Sequence, residues 1–595
     1  MSEEGKTVRA GAAISRRQAL QMTLAAGVSA TSITYSTMDA AEAAATVFLH
    51  GVASGDPTRK GVIIWTRITK PAPAERIRVS WEVAEDPRML RVVQRGVAAA
   101  DVRRDYTVKV DVDGLRPADT YYYRFECDGE LSPIGRTRTL PATGVDRVKL
   151  AVFSCSNFEL GFFNAYAEAL KHDDLDAVVH LGDYIYEYGP DGYATPAALL
   201  GLVPRPRADQ LKPAQEIVLL DQYRARYALY RRDLNLRRLH MRNPFINVWD
   251  DHEITNDAWT RGAENHQPDT EGSYNLRKRA ATRAFYEWLP IREPEDRKRI
   301  DPTTGNPEDV YRAFNFGDLA RLVMIDTRHA GRNLQLDQST IVGAYLGVPP
   351  TGPFPLDVTS TGEPRTLLGK HQATWVDRQL DNAPQVWQLV GNQVLMFYQN
   401  APDINGSPVI NDAERAALKG ILDQILGPGA GEQLAQLGAV GLPLPVAADA
   451  WTGYPTARIA MLNTLLKATN PIVLTGDTHN AWTANLALPV GGEMVPVAPE
   501  FGGTSVSSPG FEQTLIGVDP AAIAALLVDS SQRKSPTDKL IFAESARRGY
   551  MLVELTRTVA TVDHVFTSTV FDTSYTTETK RFVVRAGTRK ARMVG

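Results

Sequence analysis

The sequence predicts an α+β protein in two unequal parts, a small β-sandwich followed by a larger layered domain of strands and helices. Three observations carry this. The chain has 595 residues, more than one ordinary hydrophobic core serves, so a large domain with a smaller companion is expected. Residues 46–142 hold short alternating runs, VIIWTRI, IRVSWEV, YTVKVDV and TYYYRFE, separated by turn tracts such as GDPTRKG, DVDG and CDGELSP. That spacing belongs to a small sandwich. From residue 148 onward, the short buried runs KLAVFS, DAVVHLGD, FINVWD, LARLVMID, WQLVGNQ and PIVLTGD alternate with amphipathic helical patterns, which argues for an α/β or α+β layered core.

Taken in order, residues 1–45 read as a targeting segment: ISRRQAL, then the mildly apolar MTLAAGVSATSI, then the small-residue tract AAEAAA. Arg16 and Arg17 after Ser15 resemble a twin-arginine export signal, with Ala19 where a bulky residue is usual before Leu20. This implies the twin-arginine export machinery as a partner and an exported, periplasmic or extracellular location. No later segment approaches about twenty consecutive apolar residues, so no transmembrane segment is expected. Charged residues at 23% and a net charge of −4 show no basic stripe, which excludes nucleic-acid binding.

Within 46–142, GLRPADTYYYRFE matches the Leu-x-Pro-x-x-x-Tyr corner of fibronectin type III and immunoglobulin-like domains, in which a tyrosine hydroxyl pins the crossing strand. Residues 148–570 form the expected second domain. After FSCSN, Phe162, Tyr166 and Ala169 fall at helical spacing, so Cys155 lies on a strand-to-helix loop, where layered folds place their sites. The stretch LDQYRARYALYRRDLNLRRLH carries Tyr223, Tyr227 and Tyr230 at helical spacing; it is either a packed tyrosine face or a basic surface for polyanions. Residues near 400–450 have weak periodicity and read as an insertion or lid, and 571–595 as a C-terminal tail. Two cysteines are too few for a disulfide framework, although a Cys127–Cys155 pair is one alternative.

Four strand ends release unusual polar groups: Cys155 in FSCSN; Asp183 and Tyr186 in HLGDYIYEYG; Asp250 through Asn256 in VWDDHEITN; and Asp477 with His479 in LTGDTHN. Each alone is ordinary, since Gly-Asp is often a turn and Tyr is usually packing. Together they form a donor set suited to two adjacent metals of unequal hardness. Cys155, Tyr186 and His479 suit a ferric ion, Asn256 and Asp477 suit a hard ion such as calcium, and Asp183 can bridge.

These motifs, in their order, resemble the calcineurin-like metallophosphoesterases, and in their particular forms the PhoD-type alkaline phosphatases and phosphodiesterases. The resemblance runs through GVASGDPT with WTRI, FSCSN, GDYIYEYG, WDDHEITND, AATRAFYEWLPIRE, MIDTR, WTGYPTAR, TGDTHN, EFGGTSVSSPG and RRGYMLVEL. The chain departs from the common superfamily pattern, with S-C-S and D-D-H where D-x-H and G-N-H are usual. The resemblance implies a four-layer αββα domain after the sandwich and a cluster of iron(III) and calcium. It implies iron ligands Cys155, Asp183, Tyr186 and His479, and calcium ligands Asp183, Asn256 and Asp477. The implied activity is hydrolysis of phosphate diesters, monoesters or both by a metal-activated hydroxide. His252 is the expected proton donor, or else orients a ligand; Asp251 is a ligand or a supporting carboxylate. A phospholipase D-like hydrolase of lipid headgroups and a secreted adhesion module are the alternatives.

Overall fold

The computed structural model describes residues 47–69, 75–294, 299, 309–336, 363–442, 444 and 448–594, so the expected export segment 1–45 lies outside the described residues. Helices and sheets are mixed, as an α+β chain requires. A ten-stranded sheet has parallel strands Arg147–Phe153, Ala177–His180, Pro244–Asn247 and Val52–Gly55 at its centre and antiparallel strands on both flanks. A seven-stranded sheet centres on parallel strands Ala320–Met324, Trp387–Gly391, Pro471–Thr475 and Glu493–Gly502. Central parallel strands are covered on both faces, which is why KLAVF, AVVH and PIVLT are continuous apolar runs rather than alternating ones.

The period of two in a strand sorts these runs between two cores. Leu322, Met324, Leu389, Ile472 and Leu474 of the seven-stranded sheet join one core with Leu150 and Val152 of the ten-stranded sheet. Their neighbours Val323, Val390 and Val473 join a second core with Val376 and Leu380 of helix Gly369–Leu380 and Leu462 and Leu465 of helix Pro455–Lys467. The first core also takes Tyr223, Tyr227 and Tyr230 of helix Leu220–Tyr230. Arg226 and Arg231 of the same stretch are buried as well, so the tyrosine face packs and these two arginines are no surface for a polyanion.

The strands of residues 46–142 are shared between two sheets: Arg76–Ala84, Val92–Asp101, Thr120–Cys127, Glu130–Leu131 and Gly135–Arg138 form a five-stranded sheet, while Val52–Gly55, Val62–Arg67 and Thr107–Val112 extend the ten-stranded one. The two groups still share a core, in which Val62, Ile64 and Val108 meet Val79, Val83 and Phe125. Alternation tells which residues face a core but not which strand lies next door. The tyrosine corner is present, with the Arg116 N–H donating to the Tyr121 hydroxyl at 2.9 Å. Within the expected C-terminal tail, Thr577–Arg585 and Ala591–Val594 finish one edge of the ten-stranded sheet and bury Phe582, Val584 and Ala591.

The 400–450 region is helical. Asp412–Leu426 and Ala430–Ala439 pack with helix Pro520–Lys534 through Leu418, Ala435, Ile523 and Leu526. Its start carries a reciprocal cap between Asn411 and Glu414, a legible helix signal. Among the described residues, no helix is long and apolar enough to cross a membrane.

Candidate metal centre

Parallel strands deliver their carboxyl ends to one edge of a sheet. From the ten-stranded sheet, the loops after Phe153, His180 and Asn247 carry Cys155, Asp183 and the Asp250–His252 run; from the seven-stranded sheet, those after Met324 and Thr475 carry Arg328, Asp477 and His479. Their backbone is unusual. Cys155, Asp183, Asp477 and His479 have φ of +59°, +54°, +69° and +62°, a region costly for residues with a Cβ, by roughly 1–3 kcal/mol each.

The surroundings enforce these conformations. Cys155 N–H donates to the Gly182 carbonyl at 3.1 Å and Ser156 N–H to that of Asp183 at 2.9 Å. The buried Glu253 carboxylate gathers the N–H groups of Asp183 at 3.0 Å, Asp250 at 2.7 Å and Tyr184. Gly182 must be glycine, since it has φ +114° and a Cβ there would lie 2.4 Å from the Asp250 nitrogen.

The first donor cluster joins Cys155, Asp183 and His479, whose ligand atoms lie within 4.8 Å of one another. Tyr186 completes it: its hydroxyl is 3.1 Å from Asp183 Oδ2 and 3.1 Å from His479 Nε2. His479 Nδ1 faces the Pro509 carbonyl at 2.9 Å. A carbonyl only accepts, so Nδ1 carries the proton and Nε2 offers its lone pair. Burial, then Arg548, lowers the His479 pKa to about 3, so the ring stays neutral.

Two further groups adjoin the first, Asp183 with Asp251 and His252, and Asp250 with Asp251 and Asp477. Asp183 is therefore shared, as a bridging carboxylate must be. The buried Arg328 guanidinium gathers the acids: it contacts Asp250, lies 2.8 Å from Asp477 Oδ1 and 3.4 Å from Asp251 Oδ1. Burial, then repulsion from Asp250 and Asp251, drives Asp183 and Asp477 well above the usual carboxylate range, whereas Arg328 and His252 overcome burial at Asp251 and lower it to about 2. Burial, then Asp183, likewise pushes the Cys155 thiol and Tyr186 phenol well up. A set of donors that resists ionisation this strongly needs added positive charge to function as anions, and a bound cation supplies it. The donors therefore fit a metal cofactor.

His252 Nδ1 donates to Glu187 Oε2 at 2.7 Å. The Glu187 carboxylate is otherwise saturated with donors, from the Asn256 N–H at 2.8 Å and the Asn265 amide at 3.1 Å. Burial lowers the His252 pKa, but Glu187, Asp183 and Asp251 outweigh it and raise it well above the ordinary value. Its ring stacks on Tyr186 with centroids 4.2 Å apart.

The structure thus brings together Cys155, Asp183, Tyr186, Asp251, His252, Asp477 and His479. Asn256 is held at the margin, where its amide donates to Glu264 at 3.2 Å and its N–H to Glu187. Sequence reasoning noted Asp250 among the strand-end polar groups without giving it a role, and missed Glu187 and Arg328 as members. Glu187 stands beside Tyr186 in GDYIYEYG and Arg328 ends MIDTR, so both lay inside motifs already noted. Neither cysteine is in a disulfide: Cys127 lies in the core under the five-stranded sheet and Cys155 in this centre, which removes the disulfide alternative.

Known proteins resemble this chain over most of its length. The PhoD-like phosphatase family matches residues 150–564, and the PhoD-like phosphatase N-terminal domain matches residues 32–141. Alkaline phosphatase D of Bacillus subtilis (strain 168) is 32% identical over 475 residues, spanning 78% of this chain and 70% of that protein. A solved structure of PhoD superposes with a TM-score of 0.71 at 29% identity, covering 93% of each chain.

Proposed function

We propose that this chain, which belongs to the PhoD-like phosphatase family and is a phosphoric ester hydrolase, is an exported, metal-dependent enzyme acting on phosphate diesters and monoesters. The observation that carries the reading is the meeting of Cys155, Asp183, Tyr186 and His479 beside a group of Asp183, Asp251 and His252, which shares Asp183, and an all-carboxylate group of Asp250, Asp251 and Asp477. Thiolate, phenolate and imidazole suit iron(III). Asp183, Asp477 and the Asn256 amide oxygen suit calcium, with Asp250 and Asp251 supplying further oxygen donors alongside. The two large sheets sharing one core, with helices in the second, support a four-layer αββα reading behind an N-terminal sandwich. Arg16 and Arg17 support delivery by the twin-arginine export machinery to a periplasmic or extracellular location.

Cations in such sites supply Lewis acidity and lower the pKa of water toward neutrality. The chain's own residues do the rest. His252, its Nδ1–H fixed on Glu187, keeps Nε2 to protonate the leaving oxygen. Asp251 accepts the Asp257 N–H at 2.6 Å, which braces the loop presenting His252. Glu253 and Gly182 keep the Asp183 and Asp250 loops in contact, so the anionic donors sit preorganised and the reaction bears less of their mutual repulsion.

The test is turnover of an aryl phosphate, its bis-aryl diester and phosphatidylcholine by purified protein, with metal analysis of the same sample. The reading expects turnover of the aryl esters, lost on chelation, and bound iron. Turnover of phosphatidylcholine alone would replace it with the phospholipase D-like alternative, and no turnover of any substrate by metal-loaded protein would favour a binding role.

A further inference from the structure

We propose that Ser508 is a positioning residue of the metal centre: its hydroxyl donates to the Tyr186 oxygen and holds that oxygen in place as a ligand. The inference rests on the reading of Tyr186 as a metal ligand. Ser508 lies in SVSSPG, a loop 322 residues along the chain from Tyr186, and is fully buried. Its Oγ is 2.7 Å from the Tyr186 hydroxyl and 2.9 Å from the Cys155 carbonyl, and it accepts the Asn157 N–H at 3.2 Å.

One hydroxyl proton faces two acceptors, and hydrogen-bond inventory decides between them. The Cys155 carbonyl also receives the N–H groups of Ser507 and Ser508, each at 3.4 Å, so it does not depend on the hydroxyl. The Tyr186 oxygen is different. Asp183 and His479 both present acceptors to it, and of the three hydrogen bonds described at that oxygen only the one from Ser508 comes from a donor.

The loop is braced without this hydroxyl. Ser507 Oγ donates to the Asn157 carbonyl at 2.6 Å, Val506 N–H to that of Ser154 at 3.0 Å, and Ser505 Oγ to that of Ser508. Removing the Ser508 oxygen costs the Asn157 N–H its acceptor but leaves these braces and the Pro509 carbonyl on His479. At the metal centre, what changes is the Tyr186 oxygen. A hydrogen bond lowers the energy of its donor electrons, so losing that bond brings them closer to a ferric acceptor and moves the charge-transfer band to longer wavelength.

The experiment strips metal from the full chain and from Ser508→Ala and Ser508→Thr, then titrates each with ferric iron and, separately, with zinc against a competing chelator. Melting of the metal-free proteins checks that all three fold. Ser508→Ala should bind iron and zinc about 10- to 100-fold more weakly, as loss of a partner behind a ligand typically does, and its ferric band should lie at longer wavelength than the parent's. Ser508→Thr, which keeps the donor, should recover both. Unchanged affinity for both ions in Ser508→Ala overturns the proposal. A parent that binds zinc tightly but shows no ferric band defeats the iron reading instead, and the zinc affinities then still decide the role of Ser508.

Discussion

The two cysteines offer the sharpest test, because the same substitution should have opposite consequences at each. Cys155→Ser replaces a fully buried sulfur in a polar setting, with ligand atoms of Asp183 and His479 within 4.8 Å, so the metal-free fold should lose only about 1 kcal/mol. The metal should be lost. A serine hydroxyl is harder to ionise than a thiol and substitutes a hard neutral oxygen for a soft anionic sulfur. Cys127→Ser acts on the other side of the ledger: Cys127 belongs to the core with Val79, Val83 and Phe125, and a hydroxyl there costs about 1–3 kcal/mol if it goes unpaired. Its metal content and turnover should match the parent. Metal analysis, visible absorbance and thermal unfolding of the two variants separate these outcomes. Full iron content and parental turnover in Cys155→Ser would refute the thiolate assignment. Equal destabilisation of both variants, by about 2–4 kcal/mol with metal retained, is the signature of a disulfide, and neither cysteine is in one.

Two further outcomes follow from the carboxylates. Arg328→Met removes the cation shared by Asp250, Asp251 and Asp477; metal-free protein should lose about 3–5 kcal/mol, and calcium should narrow the gap more than magnesium because it tolerates irregular oxygen coordination. Melting with and without each ion checks this, and a deficit unaffected by calcium would show that Arg328 and the ion do not serve the same acids. Glu187→Gln removes the largest charge opposing burial at His252, so the imidazolium should surrender its proton at lower pH and the alkaline limb of kcat should move down by about one unit or more. A limb that stays in place in the pH profile would mean that another group donates the proton.

What the sequence reveals and what it hides divide along contact range. Cys155, Asp183, Asp477 and His479 were legible because each directly follows a buried apolar strand, and a strand end is a local pattern. The corner tyrosine Tyr121 was legible for the same reason, its partner Arg116 lying five residues away. Arg328 meets Asp250 across 78 residues and Asp477 across 149, so its motif could be seen but not its partners. The ten-stranded sheet was hidden likewise, since Val52–Gly55 pairs with Pro244–Asn247 and no alternation in either run records the other.

The left-handed backbone at four donors explains why these long-range contacts matter to the chemistry. A residue with a Cβ does not remain at positive φ on its own preference, so Cys155, Asp183, Asp477 and His479 depend on neighbours that outweigh the local cost. Those neighbours are the Glu253 carboxylate collecting three N–H groups, the Gly182–Asp250 contact that admits no Cβ, and the Pro509 carbonyl on His479. Each of these ties loops of one sheet, while the Arg328–Asp250 and Tyr186–His479 contacts tie loops of one sheet to those of the other, so the donors reach their positions only when both sheets are assembled. Metal affinity is thereby coupled to the folded state as a whole: local strain is tolerated because the completed fold, and the cation that this donor set requires, repay it together.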